Sequence, residues 1–81
     1  MSAATTTLLE RITVSPQVML GKPTIRGTRL TVEHLLKALA APLSFEQLRE
    51  DFPFLEPADL QACLLYAAQL VEQEKVFAIA S

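Results

Sequence analysis

Tryptophan is absent from the 81 residues, cysteine and histidine occur once each, and there are only two glycines. A single thiol, Cys63, excludes an internal disulfide framework and fits a reducing compartment, so a cytoplasmic location is expected. One histidine (His34) and one cysteine fall short of the four ligands that a structural zinc site ordinarily takes, and no metal is expected. No apolar run reaches the roughly 18 residues of a membrane span, and Met1 to Thr7 lacks the basic-then-apolar pattern of a secretory signal. Gly21-Lys22 has neither the spacing nor the following Ser/Thr of a phosphate-binding loop. Acid pairs such as Glu50-Asp51 stand just before a helix stop, as solvated residues do. With no catalytic constellation in view, neither an enzyme nor a cofactor is expected.

What the chain does have is apolar residues, 51% of the total, with fourteen Leu and eleven Ala among them. A chain this short makes one domain and hides only about 60–65% of the surface its unfolded form exposes. Alanine adds little buried area, so a marginal monomer and self-association are expected. Net charge is −2, but it is unevenly placed. Arg11, Lys22, Arg26, Arg29 and Lys37 face only Glu10 and Glu33 in the first half, whereas Arg49 and Lys75 face seven acids in the second. An anionic partner should therefore meet the first half.

Residues 1–7 are small, polar and aperiodic, and are expected to be a disordered N-terminus ahead of a domain over 8–75. Ile12-Thr13-Val14 reads as a short strand with Ile12 and Val14 on one face, and Ser15-Pro16 turns the chain. Both glycines, Gly21 and Gly27, fall within residues 18–32 and flank Pro23, which predicts two short strands and tight turns there.

Three helix starts repeat one local pattern. Thr31 caps the first helix, with Leu30 and Leu35 as an apolar staple. Ser44 and Gln47 form a capping box on the second, with Leu43 and Leu48 as the staple. Glu56, Pro57 and Asp59 open the third, beside Leu55 and Leu60. Val32, Leu35, Leu36, Leu39 and Ala40 make a single apolar stripe on the first helix, and Pro42 ends it. Phe45, Leu48 and Phe52 point inward on the second, which Pro53 stops. The third is apolar almost all round from Leu60 to Val71, more than the stripe a surface helix needs. A second subunit is the expected lid, resting on Leu64, Leu65, Ala68 and Val71. Beyond it, residues 76–81 are read as a tail whose Val76, Phe77 and Ile79 are expected to anchor a partner, the rival reading being that they pack on their own domain or across the dimer.

The segment richest in chemistry is Gly21-Lys22-Pro23-Thr24-Ile25-Arg26-Gly27-Thr28-Arg29. Three cations set between turn-forming residues can present their charges at fixed separations, and the guanidinium fork suits phosphate or carboxylate. Lys22, Arg26 and Arg29 are therefore the candidate partner or nucleic-acid contacts.

At this segment the chain resembles the small prokaryotic domain-of-unknown-function family 433, some members of which are VapB-type antitoxins. Ile12 to Ser15-Pro16, Gly21-Lys22-Pro23, Ile25-Arg26-Gly27-Thr28-Arg29 and the helix from Val32 carry the resemblance. It continues through Asp51-Phe52-Pro53, Leu55, Asp59-Leu60 and Ala62 to Tyr66-Ala67. Ala41-Pro42-Leu43-Ser44 departs from it, lacking the glycine common before the serine, and Glu56-Pro57 stands where a better cap is usual. The resemblance implies a mainly α, homeodomain-like three-helix bundle with a short N-terminal β element. It also implies pairing with a PIN-like nuclease toxin that the protein neutralises, the partner expected at the tail, with repression of its own operon through operator DNA. Helices two and three could form a helix-turn-helix, but the third lacks cations over residues 57–74, so any DNA is expected on Lys22, Arg26 and Arg29. The competing expectations are a stand-alone DNA-binding transcriptional regulator, and a dimeric structural module with neither partner. In all of them the chain is expected to be a homodimer.

Overall fold

A computed structural model describes residues 7–80, with side chains as far as Gln73. The chain is mainly helical with a small two-stranded antiparallel sheet: β1 (Ile12–Thr13), a 3-10 turn (Met19–Gly21), β2 (Thr24–Ile25), α1 (Val32–Ala40), α2 (Phe45–Asp51) and α3 (Pro57–Ala80). Ile12 pairs with Ile25 and Thr13 with Thr24, and Thr24 also bridges to Thr31 on its other side. The short β2 strand is thus held from both flanks, with Ile25 N–H donating to the Leu30 carbonyl and Val32 N–H to that of Pro23. Ile25, placed in the middle, is buried.

The helix starts form where their caps stand. The Thr31 hydroxyl accepts from His34 N–H at 3.0 Å. Ser44 and Gln47 close both halves of the capping box, at 3.2 and 2.8 Å. α1 ends at Ala40, two residues before Pro42, and α2 at Asp51, two before Pro53. Each proline disfavours helical geometry in the residue ahead of it. Leu35, Leu48, Leu55 and Cys63 meet in the core with Ile25, Leu30 and Val32, and Ile12, Phe45 and Phe52 pack around them.

Three local expectations are corrected. Ala40 is exposed, because α1 terminates there and the core contacts of its last turn end with Ala38 and Leu39. Val14 is exposed as well, since pairing stops at Thr13 and the chain turns away before Val14 can face inward. Thr7, expected to be disordered, lies in a helical turn over residues 7–9; residues 1–6 lie outside the described ones.

The 3-10 turn is the strained part of the chain. Met19 and Leu20 have φ of 48° and 58°, followed by Gly21 at 83°. Glycine adopts this geometry freely, whereas each of the other two pays about 1–2 kcal/mol in crowding of its Cβ. Hydrogen bonds from Gly21 N–H to the Val18 carbonyl and from Lys22 N–H to that of Met19, both 3.1 Å, hold the turn closed.

The start of α3 depends on a buried carboxylate. Asp59, 4% exposed, accepts the Glu56 backbone N–H at 2.9 Å on Oδ2 and the Arg11 guanidinium at 3.0 Å on Oδ1. Arg11 also reaches Glu56 Oε1 at 3.1 Å. The bonds to Asp59 and then Glu56 raise the Arg11 pKa further above its ordinary value. Asp59→Ala removes a helix-terminal hydrogen bond and a charge-assisted one, so a loss of about 2–3 kcal/mol is expected in urea denaturation. Asp59→Asn, which can keep the backbone bond, should lose about half as much; equal stability of all three proteins would show that the carboxylate does not hold the helix start.

One turn further on, burial first and the Asp59 charge second push the Cys63 thiol from its ordinary 9.0 up to about 11. Between those values the unfolded chain has released its proton while the folded one keeps it, so stability falls as pH rises. Stability should be insensitive to this group below pH 9 and decline from there towards 11, and the decline should be smaller in Cys63→Ala. Denaturant midpoints of both proteins across that range check it, and parallel curves would refute it.

Candidate partner-binding surface

Arg26 and Arg29 sit on a turn that the backbone holds firmly. Thr28 N–H donates to the Ile25 carbonyl at 3.0 Å, with Gly27 at φ 79° in the position where a type II turn requires a left-handed residue. The Thr28 hydroxyl donates to the same carbonyl at 2.8 Å and accepts Leu30 N–H at 3.1 Å. Arg26 N–H donates to the Arg11 carbonyl at 2.7 Å, fixing the turn to the segment that Asp59 anchors.

The three sequence-predicted cations do not act alike. Lys22 Nζ is 3.2 Å from Glu33, which also takes Lys37 at 3.0 Å. The bonds from Lys37 and then Lys22 lower the Glu33 pKa. Arg11 is bound by Asp59 and Glu56, and Arg49 donates to the Pro53 carbonyl and lies over the Phe45 ring at 5.9 Å. Among the described residues Arg26 and Arg29 are the cations left without a partner, and both are exposed.

A ridge made by Thr28 and Phe54 separates the two arginines. On one side is an open cleft of about 360 Å³, lined by Arg29 together with Met19, Leu30, His34 and Phe52. On the other a cleft of about 370 Å³ holds Arg26 together with Glu10, Arg11, Glu56 and Asp59. His34 and Phe52 meet edge to face at 5.7 Å, and Phe52 meets Phe54 at 6.1 Å, so the ridge continues the aromatic packing of the interior. Met19, His34 and Phe54 were not legible as one site. Pro53 forces Phe52 out of helical geometry (φ −129°, ψ 77°) and so turns Phe54 towards the ridge, and that proline is the signal the sequence does carry.

On α3 the four expected interface residues divide. Leu64 and Val71 are 54% and 65% exposed and, with exposed Ala68, share one face at helical spacing, whereas Leu65 is half-buried. A groove of about 400 Å³ between α1 and α3 runs alongside, lined by Val32, Leu36, Tyr66 and Leu70. The backbone stays helical to Ala80, and the side chains of Val76, Phe77 and Ile79 lie outside the described residues. Among the described residues no helix is long and apolar enough to cross a membrane, and no three His, Cys, Asp or Glu side chains gather around a potential metal position.

The chain is similar to known proteins over the elements that build this surface. Uncharacterized protein y4eO of Sinorhizobium fredii is 34% identical over 58 residues, which are 72% of this chain and 26% of that protein. The chain thus spans about a quarter of that relative's length. A crystal structure of a DUF433 member protein from Anabaena variabilis superimposes with a TM-score of 0.71 at 30% identity, covering 94% of this chain and 74% of the other. The family described as Protein of unknown function (DUF433) matches residues 12–67, from the first strand through most of the apolar part of α3, and the chain belongs to that family.

Proposed function

We propose that this protein is a non-enzymatic, cytoplasmic, antitoxin-like binding protein that neutralises a cognate PIN-like nuclease. The observation that carries the reading is the pair Arg26 and Arg29, exposed on a fixed turn while the other described cations are engaged within the chain. A nuclease that gathers carboxylates around a metal offers those arginines the acidic counterpart their own fold withholds, and a guanidinium there competes with metal or substrate phosphate. The homeodomain-like arrangement belongs to the same proposal, with α2 and α3 joined through residues 52–56 as its helix-turn-helix pair. Residues 57–73 of α3 carry Asp59 and Glu72 and no Lys or Arg, so α3 is poorly suited to approach phosphates in a groove. Any operator contact is therefore assigned to the basic turn.

Coexpression with the nuclease encoded alongside should restore growth, and the two proteins should copurify. Arg26→Ala together with Arg29→Ala is expected to weaken the complex by about tenfold or more and release nuclease activity. No complex with the nuclease and no relief of its toxicity would overturn the reading; full inhibition by the double variant would remove the arginines from it.

The apolar face of α3 supports a homodimer as part of the same proposal. Val71 is mostly exposed, so Val71→Asp should leave the thermal midpoint within a few degrees while converting dimer to monomer in sedimentation at micromolar concentration. A wild type that is already a folded monomer there would remove the dimer.

A further inference from the structure

Three features lie together on one side of the Thr28–Phe54 ridge, of which the proposal above uses only the last. The first is the strained turn. Met19 and Leu20 hold left-handed backbone without being glycine, yet Met19 is exposed and Leu20 is 95% exposed, so their side chains contribute little to the core. Backbone strain maintained with no packing return is found where a surface is shaped for something else. The second is the cleft beside that turn, whose lining is predominantly apolar and includes Leu30, His34, Phe52 and the 47% exposed ring of Phe54. The third is Arg29, which stands at this cleft with no acid to pair with and no carboxylate among the lining residues. Arg26 differs, since its cleft across the ridge already contains Glu10, Glu56 and Asp59.

We propose that the Met19–Arg29–Phe54 cleft docks a short extended segment of a partner protein, seating one aliphatic or aromatic side chain between Met19 and Phe54 with a neighbouring carboxylate on Arg29. Charge complementarity selects the acid: Arg29 is an unpaired guanidinium lining an apolar site, where a carboxylate can receive two parallel N–H donors. The apolar lining selects the anchor, because aromatic and aliphatic side chains that fill such clefts dominate interface energetics. Nucleic acid fits worse. A strand stacking on Phe54 would run its phosphates past the carboxylates of the adjoining cleft. Of the two arginines proposed to meet the nuclease, Arg29 alone serves this cleft, and Arg26 lines the one across the ridge.

The surface overlaps the basic turn invoked for nuclease neutralisation and deepens that reading, but its test needs no nuclease, so the two can fail separately. A random heptapeptide phage library is selected on the immobilised full-length protein, and the strongest peptide is then titrated in solution and mapped by amide chemical shifts. Selected peptides should pair Asp or Glu with an adjacent aromatic or aliphatic residue, and the shifts should centre on Met19, Arg29, His34 and Phe54. Arg29→Ala and Phe54→Ala should each weaken binding by about tenfold, replacing the peptide's acid by its amide should do the same, and Arg26→Ala should change it less than about twofold. Both replaced arginines are exposed and unpaired, so their variants stay folded. The proposal falls if no peptide is enriched, if the peptides lack an acid or map elsewhere, if both arginine variants lose binding equally, or if oligouridylate binds the cleft more tightly than the selected peptide. Concentration-dependent shifts of the same amides without peptide would assign the cleft to a second copy and overturn it too.

Discussion

The buried carboxylate of Asp59 ties the Arg11 segment to the start of α3, with the exposed Glu56 carboxylate as a second hold on the same guanidinium. Its side chain takes the backbone N–H that Glu56 leaves open at the start of α3 and, through its second oxygen, the guanidinium of Arg11. A Glu side chain is long for an N-cap, so the helix is closed from the third position instead, by the half of a capping box that reaches backwards. A charge this deeply placed is tolerable because both oxygens are engaged. Arg11, drawn in by it, presents its carbonyl to Arg26 N–H, and the basic turn inherits its position from a contact between residues 48 apart in sequence.

Elements set by neighbouring residues were legible, and those set by distant ones were not. Thr31, Ser44 with Gln47, and Pro57 announce helix starts within a window of four residues, and Pro42 and Pro53 announce ends, so the three helices follow from local chemistry. Ala40 and Val14 continue a period correctly, but a period says nothing about where the core stops, and both lie beyond it. The coupling of Arg11 with Asp59 left no trace in spacing, since it depends on how β1 is laid against α3. The same holds for Lys22. Its place in the basic run was plain, whereas its capture by Glu33 required knowing that α1 begins beside the Gly21–Pro23 bend. The left-handed pair Met19 and Leu20 is the least legible feature, because only the glycine that follows them belongs to a residue type that prefers such geometry.

The uneven charge of the two halves acquires a spatial meaning in the fold. Of the first half's cations, Lys22 and Lys37 are spent on Glu33, and Arg11 neutralises acids of the second half. What remains is a small positive area on the Arg26–Arg29 turn, set against an apolar cleft on one side and a mixed-charge cleft on the other. Long-range attraction from so few charges on a chain of net charge −2 is weak, so discrimination between partners has to come from close contact. The apolar face of α3 lies on an element separate from the ridge.

The length of α3 has a geometric consequence of its own. Its 24 residues span about 36 Å at 1.5 Å per residue, and among the described residues its fully buried positions, Asp59, Ala62 and Cys63, fall in the first third of that length. Whatever is joined or bound near Ala80 is held at an azimuth set by the number of residues in between. Inserting or removing one residue there turns such a neighbour by about 100° around the axis, and a whole turn of nearly four residues is needed to bring it back to the same side.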